Sequence, residues 1–128
     1  MAFIKQPFDE FLGFEYERTA ADRVLVRLPL RAIHMNSVGV VHGGVISTLV
    51  DVTMSNLIEA DENGVQRAVT VDLHTTFVTG AKGTELVAKA EIVKQGRAMM
   101  YADCRVFDAK NHVVARATGS FVMRRTGN

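Results

Sequence analysis

The stretch "NSVGVVHGGVISTLVD", Asn36 to Asp51, runs from a polar, glycine-bearing loop straight into an apolar pattern, and the fold is read outward from it. From Gly44 to about Ala60, Val45, Ile46, Leu49, Val50, Leu57 and Ala60 recur at helical spacing. Thr48, Asp51, Ser55 and Glu59 fall on the opposite side. This is the one long helix, and "DENG" (Asp61 to Gly64) supplies its end and a turn. Its polar side carries small hydroxyls in place of the lysines and glutamates of a solvated helix, so close packing against that side is expected.

Beyond the helix the period changes to two. "AVTVDLHTTFV", "TELVAKAEIVKQ", "AMMYADCRVF" and "HVVARATGSFVM" read as strands, separated by "TGAKG", "QGR" and "DAKN". The economical expectation is a four-stranded antiparallel meander. Ahead of the loop, Pro7 with Asp9 and Glu10 suits the first turn of a short helix that Gly13 stops. Phe14 to Glu17 and Arg23 to Leu28 then form a hairpin, and Pro29 ends its second strand. About six strands and one long helix imply an α+β domain covering 1–128, with a curved antiparallel sheet across which the helix lies. Such a sheet leaves two edge strands, which natural proteins cover or pair, and homodimerisation through an edge would solve this.

Composition narrows the function. The 128 residues are 48% hydrophobic and 23% charged, as in globular domains. A formal charge of +1 supplies no broad field for nucleic acid or an anionic membrane, so neither is an expected partner. The single Cys104 cannot form an intrachain disulfide and is expected to be buried. His34, His42 and Asp51 lack metal-site spacing, and His74 and His112 fall in separate strands, so no metal or other cofactor is expected. No apolar run is long enough for a signal peptide or a membrane helix, and a cytoplasmic location is the expectation.

The chemistry gathers around the loop-to-helix junction. The first N–H groups of a helix lack internal partners and carry the positive end of its dipole. With no side chain at Gly43 or Gly44, the Gly43 N–H is a candidate oxyanion donor for acyl transfer, although the glycines also suit a tight turn alone. Asp51 is a candidate nucleophile or general base whose acidity partial burial would weaken; its alternative is a structural acid bonded to Thr48 or Ser55. His42 either bonds the loop or polarises a substrate carbonyl, and Asn36 either donates to that carbonyl or holds the turn. Gly43 and Asp51 are eight residues apart, roughly 12 Å along a helix, so a shared reaction centre requires two subunits.

Asn-x-x-Gly-x-x-His-Gly-Gly, with Asp51 nine residues after His42, resembles the hotdog-fold acyl-coenzyme A thioesterases, in particular the phenylacetate-pathway (PaaI-like) branch. "AVTVDLHTTFVTGA" and "VKQGRAMM" extend the resemblance over nearly the whole chain. It implies a hotdog fold, protomers joined edge to edge, and two such dimers forming a homotetramer. It also implies hydrolysis of an aromatic or medium-chain acyl-coenzyme A in a composite site. Gly43 would polarise the thioester with Asn36 and His42 assisting, Asp51 of the other subunit would attack or activate water, and Ser55 and Thr70 would orient that water. Phe77 would contact the ligand, and Lys94, Gln95, Gly96 and Arg97 would contact coenzyme A. The competing expectation is a module that binds or senses acyl-coenzyme A without cleaving it.

Overall fold

The computed structural model describes residues 2–124. In chain order the elements are α1 (Pro7–Leu12), β1 (Glu15–Ala20), β2 (Arg23–Pro29), a 3-10 turn (Ala32–His34), α2 (Gly43–Ser55), β3 (Ala68–Phe77), β4 (Glu85–Gln95), β5 (Met99–Asp108) and β6 (Val113–Met123). One antiparallel sheet takes all six strands in the order β1-β2-β4-β5-β6-β3. The 13 residues of α2 span only about 20 Å, yet the helix touches β2, β3, β4, β5 and β6. A flat sheet would not allow that. The sheet therefore curves around the helix, as the hotdog resemblance implies.

Alternation explains the core. Met100, Ala102, Cys104 and Val106 of β5 point inward, and Val24, Val26 and Leu28 of β2 do the same. They meet Ile46, Leu49, Val50 and Met54 of α2, with Phe121 of β6 among the fully buried side chains. Gly119 marks the tightest approach: a Cβ there would stand 2.8 Å from the Phe121 ring and 3.1 Å from the Met54 methyl. Cys104 is buried as expected, and that burial pushes its thiol up to about 12, so it carries no thiolate at neutral pH.

Two expectations are corrected. The last four strands are not a simple meander: β4, β5 and β6 are, but β3 crosses to the far side and pairs with β6, Leu73 opposite Gly119. Alternation assigns faces and not neighbours, and wrapping the sheet around α2 puts β3 on the open edge. The long helix also ends earlier, at Ser55 and not near Ala60. Asn56 breaks it, giving its amide to the Val52 carbonyl and accepting the Ile4 N–H at 2.8 Å. Leu57, Ile58 and Ala60 are buried all the same, outside the helix.

The edges left by this order are β1 and β3. Among the described residues no helix is long and apolar enough to cross a membrane.

Candidate active site

His42 caps α2. Its Nδ1 accepts the Gly44 N–H at 2.8 Å, which fixes the proton of the neutral ring on Nε2. The ring thus takes the loop role considered for it, and Nε2–H stays available as a donor on an exposed side chain. No partner among the described residues takes the Gly43 N–H, the other donor at this helix mouth. The Phe77 ring lies 3.5 Å from where a Cβ of residue 43 would stand, so the C-terminal end of β3 adjoins this amide.

The loop before the cap is held rigidly. Asn36 Oδ1 accepts the Val38 and Val40 N–H groups at 3.0 and 3.2 Å, and the Asn36 N–H donates to the Val40 carbonyl. Gly39 makes the closure possible with φ at 83°, where a side chain is strained. Asn36 therefore holds the turn through Oδ1, which leaves its Nδ2 hydrogens as the donors it can offer. His34 is fully buried and structural: Nδ1 accepts the Arg31 N–H, and Nε2–H donates to the Leu12 carbonyl.

Two turns further along α2 lies a different environment. Asp51 is half-buried in a cleft of about 380 Å³ lined by Thr48, Ser55, Thr70 and the apolar Ile4, Phe8, Val52 and Leu73. Thr70 donates its hydroxyl to Asp51 Oδ1 at 2.6 Å. Burial raises the Asp51 carboxyl above the ordinary aspartate range, and the Thr70 bond counters part of that rise. Thr48 does not bind Asp51; its hydroxyl donates to the Gly44 carbonyl.

The structure thus brings Asp51, Ser55 and Thr70 together at one end of β3, and Gly43, His42 and Phe77 together at the other. Within one chain the two groups stay apart. Lys94 and Gln95 at the end of β4 and Gly96 and Arg97 in the turn to β5 are exposed, and none lines the Asp51 cleft. Their turn nevertheless lies at the sheet end where β3 begins, since Met99 pairs with Val122, which pairs with Val69. A cleft carboxyl missing from the sequence reading is Asp9 of α1, which is 3% exposed and lines the same cleft. The sequence signal was its spacing to buried Leu12, three residues on and so on the same helical face.

A family model described as "Thioesterase superfamily" matches residues 38–115. Acyl-coenzyme A thioesterase 13 of Mus musculus is 33% identical over 84 residues, a match covering 65% of this chain and 59% of the mouse protein. A protein of Pseudomonas aeruginosa bearing a provisional esterase name is 33% identical over 121 residues, covering 93% of this chain and 90% of that one. Among solved structures, a Bacillus halodurans protein crystallised with CoA is 32% identical with a TM-score of 0.82, covering 95% of this chain and 81% of its own.

Proposed function

The chain belongs to the thioesterase superfamily, a family of thioester hydrolases, and from that premise we propose that it hydrolyses an acyl-coenzyme A to the free acid and coenzyme A. Asp51 carries the reading: a carboxylate of weakened acidity, bonded by Thr70, in a cleft with apolar walls. It takes a proton from water as the water oxygen attacks the thioester carbon, or attacks that carbon itself to give an acyl-aspartyl anhydride that water then cleaves to the free acid and Asp51. In either route the C–S bond breaks and the thiolate of coenzyme A leaves, protonated by the proton that Asp51 took from water or, after direct attack, by solvent. Gly43 N–H stabilises the negative charge that develops on the carbonyl oxygen, with His42 Nε2–H and the Asn36 amide as the further donors.

Composite sites follow from the edge strand. In an antiparallel pairing of two β3 strands centred between Leu73 and His74, the Thr70 end of one copy faces the Phe77 end of the other. Asp51 of one copy then comes alongside Gly43 of its neighbour, which the single chain keeps apart. Val69, Val71 and Phe77, exposed along β3, supply an apolar edge for that pairing. The acyl group, aromatic or medium-chain as the phenylacetate-branch motif implies, lies against Ile4, Phe8, Val52 and Leu73. Lys94 and Arg97 meet the phosphates of coenzyme A, and Gln95 and Gly96 the arm between.

Thiol release from a panel of acyl-coenzyme A esters, run beside a binding measurement, tests the reading. Release that falls by about 10² or more in Asp51→Asn, with circular dichroism unchanged, is the expected result. Binding without release would make the chain a sensing module instead. Sedimentation of the same samples distinguishes dimer from tetramer.

A further inference from the structure

Asp9 has no role in the proposed reaction, yet it is a buried carboxyl that lines the same cleft as Asp51. It is 3% exposed, and its Oδ2 has no hydrogen-bond partner among the described residues. A buried carboxylate without a donor is costly, by several kcal/mol for an unpaired charge, unless it holds a proton.

Its placement is enforced. The segment that carries α1 is tied down by Ile4 N–H to Asn56 Oδ1 at 2.8 Å, Lys5 N–H to the Gly64 carbonyl and Ala60 N–H to the Ala2 carbonyl. Phe3 stacks on Tyr16 with ring centroids 5.2 Å apart. These contacts hold α1 as one wall of the cleft into which Asp51 also faces.

The groups around Asp9 offer no compensating charge. From α2 comes Asp51, and from β3 only the Thr70 hydroxyl. From β1 comes Tyr16, whose hydroxyl is held protonated by burial first and then by Asp9 and Glu10. Gln6 and Gln66 are uncharged, and no Lys, Arg or His lines the cleft among the described residues. Neither arginine nearby lines the cleft: Arg31 donates to the Phe11 and Leu12 carbonyls, and Arg18 donates to those of Asn56 and Leu57 and pairs with Glu59 at 3.9 Å.

We infer that Asp9 and Asp51 form a carboxyl pair holding one proton, that Asp9 is its holder, and that Asp9 thereby keeps a second negative charge out of the cleft in which Asp51 works. Thr70 decides the assignment, since its O–H favours charge on Asp51 whereas nothing favours it on Asp9 Oδ2. Burial, and then the charge of Asp51, raise the Asp9 carboxyl above its ordinary range, in agreement with that assignment. The role rests on Asp51 being the reacting acid. A second carboxylate would oppose the negative charge developing on the thioester oxygen, so Asp9 is a positioning residue that acts through Asp51.

The pair is tested without substrate, by carboxyl-region infrared titration of the protein with ¹³C-labelled aspartate. A carboxyl band titrating above the ordinary aspartate range is expected in the wild type. It should be missing in Asp9→Asn, and its midpoint should shift downward in Asp51→Asn. An Asp9 that titrates in the ordinary range, or a midpoint unmoved by Asp51→Asn, overturns the inference. Should Asp9→Asn fail to fold, the carboxyl ¹³C resonance of Asp9 in the wild type and in Asp51→Asn carries the same test. In turnover, wild-type kcat/KM is expected to decline as pH rises through the loss of the Asp9 proton and Asp9→Asn to lack that decline, whereas a merely structural Asp9 leaves the shape of the profile unchanged. Absence of any thioesterase activity would sink the proposed function and leave the titration result standing.

Discussion

The two ends of α2 offer opposite kinds of chemistry. At its N-terminus the available groups are a main-chain N–H at Gly43 and an exposed imidazole at His42, held by a cap and an asparagine turn. Two turns later the group on offer is a half-buried carboxylate among hydroxyls and apolar walls. The first end is fixed by the backbone and suits an oxygen that becomes negative; the second is made by burial and suits an acid that must work near neutral pH. Under the proposed function each lacks what the other has, and a protomer by itself carries two half-sites.

The sharpest way to break this comparison is to remove the amide without disturbing the helix. Proline is favoured at the first helical position and has no N–H, and His42 before it already has the extended conformation a preceding residue needs, φ −59° and ψ 133°. Gly43→Pro is therefore expected to fold normally and to lose about 10²–10³ in kcat, as when one oxyanion donor is removed. Mixing it with Asp51→Asn after subunit exchange should restore activity in roughly a quarter of the sites, because half the dimers are mixed and one of their two sites is intact. No recovery on mixing would place both half-sites in one chain.

A smaller effect is expected at the carboxylate end. Thr70→Val removes the bond that favours charge on Asp51, so its carboxyl rises further and the acid limb of kcat/KM moves to higher pH. A limb that stays in place would separate Asp51 from the pH profile. Gly119→Ala tests the scaffold between the two ends: its methyl meets Phe121 and Met54, and destabilisation of about 1–3 kcal/mol by denaturant titration is expected.

The smallest effect concerns stability alone. Asp51 holds its proton more tightly folded than unfolded, so over the pH range between its two pKa values the native state binds more protons and stability falls as pH rises. Asp51→Asn removes that fall. It should be more stable than wild type at neutral pH, with the difference shrinking toward pH about 4, where the unfolded carboxyl also becomes protonated. A thermal midpoint that does not rise at neutral pH would remove the burial cost assigned to the Asp51 charge.

Much of this was legible in the sequence because it is local. Helical spacing in "GGVISTLVD" marks α2, the glycines before it mark its mouth, and hydroxyls around Asp51 signal a packed face. What escaped is non-local. The crossing of β3 to β6 depends on how far a sheet must curl to cover α2, which no strand's own alternation records. Leu57 and Ala60 continue a helical pattern although Asn56 has turned the chain toward the N-terminal segment. Asp9 was hidden by a good local explanation, since an acid in a first helical turn needs no other reason to be there.

Under the proposed pairing, the unequal edges of the sheet set a limit on growth. β1 has six residues, with Glu15, Glu17 and Arg18 along it and an irregular register near Ala20, whereas β3 is longer and exposes Val69, Val71 and Phe77. A ribbon that can be extended at one border and is blunted at the other closes on itself after a single addition. Under the proposed pairing, the border that completes the chemistry is used up in doing so, and the chain is kept from running on into a fibre.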